Sequence, residues 1–125
     1  MTLIHEELSG KLITAAIEVH RTLGPGLLES AYELCLCHEL KLNRIPFRRQ
    51  VPLPVSYKGV NLDCGYRLDI VVDDRIILEL KSVGELSALH EAQLLTYLKL
   101  RKLKLGLLMN FNVPLLKDGI KRVVN

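Results

Sequence analysis

The order in which the hydrophobic periods change along this chain predicts an α/β layered domain with a mixed sheet. Two segments of helical period come first, and β-rich runs separated by short breaks follow. A further helical segment then parts the last of those runs from another apolar strand. The 125 residues suit a single domain over positions 1–125, because about two-thirds of the unfolded surface can be buried at that size.

Leu3 to Leu23 places Ile4, Leu8, Leu12, Ala15, Ala16 and Val19 at spacings of three and four, which is an amphipathic helix. Gly24-Pro25-Gly26 breaks it. A second helix over Leu27 to Asn43 carries Leu28, Tyr32, Cys35, Leu36 and Leu40 along one broad stripe. Ile45-Pro46 ends that helix, and Phe47 to Tyr57 reads as one extended segment. Pro52 and Pro54, two apart, suit an edge strand whose missing N–H groups point one way. Lys58-Gly59-Val60-Asn61 reads as a turn. Two β-rich runs, Leu62 to Val72 and Ile76 to Lys81, are joined by Asp73-Asp74-Arg75. Leu86 to Arg101 has helical period, Lys104 to Phe111 is a short apolar strand, and Gly119 to Val124 is a last strand.

Hydrophobic residues at 49% and charged ones at 25% exclude a disordered chain. The longest uncharged stretch, Leu105 to Leu116, is twelve residues and is broken by Asn110, Asn112 and Pro114, too short for a membrane span. The N-terminus has neither a basic start nor an apolar core of the kind a signal peptide needs, so a cytoplasmic location is expected. Cys35, Cys37 and Cys64 make no disulfide framework and read as buried structural thiols. Positions two apart lie about 200° apart on a helix, so Cys35 and Cys37 cannot close on one zinc ion. A net charge of +3 permits a polyanionic partner without demanding one, and the absence of Trp gives little support to a stacking platform for single strands.

The register of the central hairpin follows from its apolar positions. Leu68, Ile70 and Val72 on one run, and Ile76, Leu78 and Leu80 on the other, share a face if Val72 stands opposite Ile76. Asp69 then lies across from Glu79, and Arg67 across from Lys81, with Asp69, Glu79 and Lys81 all on one face. Two facing carboxylates in an apolar hairpin destabilise it unless something compensates them. A divalent cation with oxygen ligands would do so, and so would an ion pair with Lys81 or Arg67.

Asp69 followed by Glu79-Leu80-Lys81 resembles the core motif of the PD-(D/E)xK nuclease superfamily, with Leu68 where that motif usually has Pro. Gly26-Leu27-Leu28-Glu29-Ser30-Ala31-Tyr32 is similar to G-x-x-E-x-x-Y, the signature of the GxxExxY branch of these RecB-like, nuclease-fold proteins. Gly65 to Asp69, His90 to Tyr97 and Asn110 to Gly119 resemble that branch's later blocks, and the resemblance runs from Leu3 to Val124. It implies a restriction-endonuclease-like core with two N-terminal helices, a mixed central sheet containing a β-meander, then helix and strand. It also implies a nuclease dependent on Mg2+ or Mn2+ that cuts phosphodiester bonds of nucleic acid, DNA foremost.

Under that resemblance Asp69, Glu79 and the Leu80 carbonyl hold the metal, and Glu29 approaches it directly or through water. Lys81 orients the attacking water or stabilises charge on phosphorus. Gln93 and Tyr97, one helical turn apart with His90 on the same side, resemble the Q-x-x-x-Y motif of RecB-like nucleases. His20, at the end of the first helix, is a weaker candidate, since a cation at a helix C-terminus is favourable in any case. Arg48, Arg49, Arg101, Lys102 and Lys104 read as a phosphate-tracking surface or simply a solvated face. A domain this small suggests a homodimer or a partner protein on nucleic acid, with no membrane role. Two other readings stand beside the enzyme: a catalytically silent nucleic-acid-binding or accessory module of the same fold, and a structural domain whose acids are ion-paired.

Overall fold

The protein is described by a computed structural model over residues 3–125. Helices α1 (Glu6–Leu23) and α2 (Glu29–Leu42) precede strands β1 (Phe47–Pro52), β2 (Val55–Tyr57), β3 (Val60–Leu62), β4 (Arg67–Val72) and β5 (Ile76–Lys81). Helix α3 (Ala88–Arg101), β6 (Leu105–Asn110), a single 3-10 turn (Leu116–Gly119) and β7 (Ile120–Val124) follow. The main sheet has the order β1-β4-β5-β6-β7, antiparallel except for the β5–β6 pair, which α3 connects in parallel. The mixed sheet, the meander and the crossover helix are as expected.

Two helical layers sandwich that sheet. Leu12, Ala15, Ala16 and Val19 of α1, with Tyr32, Leu36 and Leu40 of α2, pack on one face against Ile70, Val72, Ile76, Leu78 and Leu107. Leu94, Tyr97 and Leu98 of α3 pack on the other face against Val71, Ile77 and Leu108. Strands β5 and β6, covered on both sides, are buried along nearly their whole length, as a parallel pair requires.

Several expectations need correction. Val60 and Asn61 belong to a strand, because Lys58 and Gly59 alone make the turn, with φ of 47° and 82°. Two left-handed residues give a turn whose twist matches its flanking strands. The extended segment from Phe47 therefore breaks at Leu53-Pro54 into β1 and β2, and the run from Leu62 breaks before Arg67. On α2, Leu28 is 77% exposed and Cys35 is exposed, whereas Cys37 is buried, because the covered stripe follows Tyr32, Glu33, Leu36, Cys37 and Leu40. Cys64, in the connection before β4, is exposed as well, so only Cys37 is a buried thiol. Ile4, 40% exposed, precedes the first helical turn.

Val72 pairs with Ile76, as the apolar pattern demands. Asp73 and Asp74, at φ of 50° and 51°, make the tight turn, and the Arg75 N–H closes it on the Val72 carbonyl at 2.9 Å. Arg75 is the extra residue that restores the register. Leu68 departs from expectation: it packs in the α3-side cluster with Val51, while Ile70 and Val72 face α1 and α2. Both strands change face at the same level, between Arg49 and Val51 on β1 and between Ile70 and Leu68 on β4. Gln50, at φ of 54°, supplies the twist, and Asp69 lies opposite it.

Candidate functional site

Strands β4 and β5 pair only from Ile70–Leu78 to Val72–Ile76. Beyond that level β4 stays with β1 and β5 stays with β6, so the two strands part. The carboxyl groups of Asp69 and Glu79 enter the fork. Asp69 Oδ2 accepts the Leu80 N–H at 2.9 Å, and Glu79 Oε1 accepts the Asp69 N–H at 3.2 Å. Each side chain thus takes over a main-chain hydrogen bond that the parted ladder no longer makes.

Glu79 is 6% exposed. Burial first, and then the neighbouring Asp69, push its carboxyl up to about 9. Among the described residues neither Lys81 nor Arg67 reaches either acid within ion-pair distance, so the ion-pair compensation open on the sequence is not made. Lys81, two positions beyond Glu79, forms no ion pair among the described residues and lines a cleft of about 680 Å3.

The opposite wall of that cleft is α3, which presents His90, Gln93 and Tyr97. Ser87 caps the helix: its hydroxyl accepts the His90 N–H, and His90 Nδ1 accepts the Ser87 N–H at 3.1 Å. Tyr97 is buried, and burial, then Glu79, Tyr66 and Asp69, raise its phenol further above the ordinary range. Lys81, Gln93 and Tyr97 are therefore gathered around one cleft, and Tyr97 lies close enough to Glu79 and Asp69 to feel their charge.

Glu29, the first residue of α2, binds the segment that follows β5. Its carboxylate accepts the Ser82 N–H at 3.2 Å, while the Ser82 hydroxyl donates to the Leu27 carbonyl. Among the described residues no three acidic, histidine or cysteine side chains stand close enough to hold a metal together, so Glu29 is not gathered with Asp69 and Glu79. The segment before α2 is held by Tyr32, whose hydroxyl donates to the Gly24 carbonyl at 2.6 Å and accepts the Leu27 N–H at 3.1 Å. The Tyr32 ring stacks on Phe111 at 4.5 Å. Gly26, at φ of 97°, gives the chain the reversal this clamp needs.

His20 is buried, and its Nε2–H points at the carbonyls of Phe111 and Val113, at 3.1 and 2.8 Å. It anchors the segment after β6 instead of entering the cleft. The basic residues scatter: Arg48 and Arg101 converge on Asp74 at the hairpin tip, and Arg49 pairs with Glu33 at 2.6 Å.

Four residues escaped the sequence reading. Glu33 is 5% exposed and receives Arg49 and the Gln50 amide, and its carboxyl is raised by burial and then by Asp69. Its signal was the spacing of four from Glu29, which puts both on one helix face. Tyr66 adjoins the Asp69 strand and meets Tyr97 at 6.0 Å. Tyr32 reads from the sequence as part of the apolar stripe and as the last residue of the G-x-x-E-x-x-Y match, with no site role, and its clamp role had no signal beyond the spacing from Gly26. Asn110, 2% exposed, ties the segment after β5 by accepting the Val83 N–H and donating to the Val83 carbonyl.

No helix among the described residues is long and apolar enough to cross a membrane. No curated protein and no solved structure matches the chain. A family model described as the PD-(D/E)XK nuclease superfamily matches residues 6–123. Its coverage of nearly every element, together with the α/β order and the Asp69…Glu79-Leu80-Lys81 fork, shows that the chain belongs to the PD-(D/E)XK nuclease superfamily and has its restriction-endonuclease-like fold.

Proposed function

We propose that the protein is a Mg2+- or Mn2+-dependent nuclease that hydrolyses phosphodiester bonds of nucleic acid, DNA foremost. The observation that carries this reading is the fork itself: buried Glu79 against half-buried Asp69, neither ion-paired among the described residues, with Lys81 beside them at a cleft. Superfamily membership supports the reaction class.

The residues fit a hard divalent ion. Mg2+ is commonly held by one or two carboxylates, with water and substrate phosphate completing the shell. Asp69 and Glu79 would supply the carboxylates. Leu80 would supply its carbonyl, which lies on the same strand edge as the N–H that Asp69 accepts. Glu29 would join directly or through water. Such an ion, when bound, polarises a phosphoryl oxygen and acidifies a water molecule.

Lys81 holds its ammonium toward the reacting phosphate, orients water and stabilises charge growing on phosphorus. Gln93 offers a neutral amide that positions water or phosphate without adding charge. Tyr97, its phenol raised, remains protonated at neutral pH and donates a hydrogen bond. With so small a domain, a second copy or a partner protein completes the grip on the substrate.

A second reading has its own observation. Glu29 is engaged with Ser82, and among the described residues no three-ligand cluster exists, which suits an accessory module that binds nucleic acid without turnover. Calorimetry with Mg2+ and Mn2+ on the parent and on Asp69→Ala, followed by incubation with labelled DNA, separates the two. The enzyme reading expects metal binding that disappears in Asp69→Ala and cleavage that disappears in Lys81→Ala. Metal binding without cleavage of any DNA or RNA moves the accessory module to first place, and no binding at millimolar metal sinks the metal site.

A further inference from the structure

Hydrolysis alone leaves part of the cleft wall without a task. Tyr66, on the connection into β4, is 46% exposed, and its ring meets Tyr97 at 6.0 Å with a tilt of 57°. Its backbone is pinned, since its carbonyl accepts the Leu53 N–H at 3.0 Å. An aromatic ring on a fixed backbone, open to the cleft and unburied by its own chain, is a ready stacking surface.

The polar atoms nearby are suited to an anion. His90 Nδ1 accepts the Ser87 N–H, so the neutral ring carries its proton on Nε2 and offers a donor from the cleft wall. Lys81 adds three donors and a positive charge, and Gln93 adds an amide that both donates and accepts. Val55 and Leu89, the latter 77% exposed, make the remaining wall apolar. A space of about 680 Å3 with an apolar lining and a few convergent polar groups has the size and make-up of a pocket that encloses a small molecule.

We infer that this cleft is a subsite for one unpaired nucleotide, its base against Tyr66 and its phosphate toward Lys81 and the His90 Nε2–H. The inference rests on the nuclease reading and names its substrate class: nucleic acid that is single-stranded or frayed at the point of cutting. Inside a duplex the neighbouring bases cover each base's faces and leave only edges in the grooves. Tyr66 can therefore stack only on a base that is out of the helix.

Fluorescence anisotropy of the full chain tests this, with a short labelled single strand, a blunt duplex of the same sequence, and Ca2+ in place of Mg2+. The wild type should prefer the single strand. Tyr66→Ala should weaken single-strand binding roughly tenfold, since stacking on an aromatic side chain contributes about 1–3 kcal/mol per base. Duplex binding should stay unchanged, and Tyr66→Phe should restore the single-strand affinity. His90→Ala should likewise reduce single-strand affinity and leave duplex binding unchanged, narrowing the preference. Tyr66 is exposed, and unchanged circular dichroism of the variant excludes unfolding as the cause. Equal single-strand affinity of wild type and Tyr66→Ala overturns the subsite while leaving the nuclease reading intact. A wild type that binds neither probe overturns both.

Discussion

At Glu79 the conflict between folding and function is sharpest. The carboxyl is pushed up to about 9 by burial and by Asp69, against an unfolded value near 4.5. In the metal-free protein the folded state therefore holds a proton that the unfolded chain has released once the pH passes the unfolded value. Stability is highest below that value, falls as pH rises toward 9, and is flat again beyond it, with a slope of at most about 1.4 kcal/mol per pH unit. Glu33, also raised by burial and Asp69, adds to the same slope. Chemical denaturation in chelator across that window should show the decline, and Glu79→Gln should flatten it in part. A slope unchanged in Glu79→Gln would mean that the fork is not strained. Tyr32 gives a second test at this scale. Tyr32→Phe keeps the ring on Phe111 but strips both hydrogen bonds of the clamp, so unfolding free energy should drop by about 1–2 kcal/mol.

Helix α3 meets β6 closely enough that Gly106 has no room for a side chain: an added Cβ would lie 2.9 Å from Leu94. Gly106→Ala should push Leu94 and its helix outward at a cost of about 1–3 kcal/mol. Because α3 carries Gln93 and Tyr97, any cleavage activity should fall by more than the loss of folded protein explains. Thermal unfolding and a rate assay on the same sample separate the two effects. The hairpin β2–β3 is the opposite case. All its residues are exposed or half-buried, and it forms a sheet of its own. Its amide hydrogens should exchange quickly, whereas those of β5 and β6 should exchange only near global unfolding. Protection of β2–β3 equal to that of β5 would contradict this arrangement.

Across the whole molecule, function and stability occupy different ends of the same hairpin. At the tip, the Asp73–Asp74 turn collects Arg48, Arg75 and Arg101 in surface ion pairs that contribute little to stability. At the parted end, the uncompensated acids weaken the fold, and the two helical layers around the sheet supply the burial that tolerates them. Raising the salt concentration should change stability by less than about 1 kcal/mol through the tip pairs. Replacing Asp69 with Asn, which keeps an acceptor for the Leu80 N–H, should raise the stability of the metal-free protein. A loss of stability in Asp69→Asn would indicate a structural role for the charge.

Much of this was readable without coordinates, because hydrophobic period and register are local properties of the chain. The helices, the β5–α3–β6 crossover and the pairing of Val72 with Ile76 all follow from where apolar residues recur. That pairing already set Asp69 against Glu79, and the Asp69…Glu79-Leu80-Lys81 spacing marked the superfamily. Contacts between distant segments were not readable. Leu68 changes face where Gln50, eighteen residues away on β1, takes a left-handed conformation opposite Asp69. The link from Glu29 to Ser82 spans 53 residues, and that from His20 to the Phe111 carbonyl spans 91. Glu33 and Tyr66 join the acids and the cleft only after packing brings α2, the β4 connection and α3 around one end of the sheet. Local pattern encodes which residues can form an element, but the free energy of a site depends on burial and charge, which exist only once the layers close.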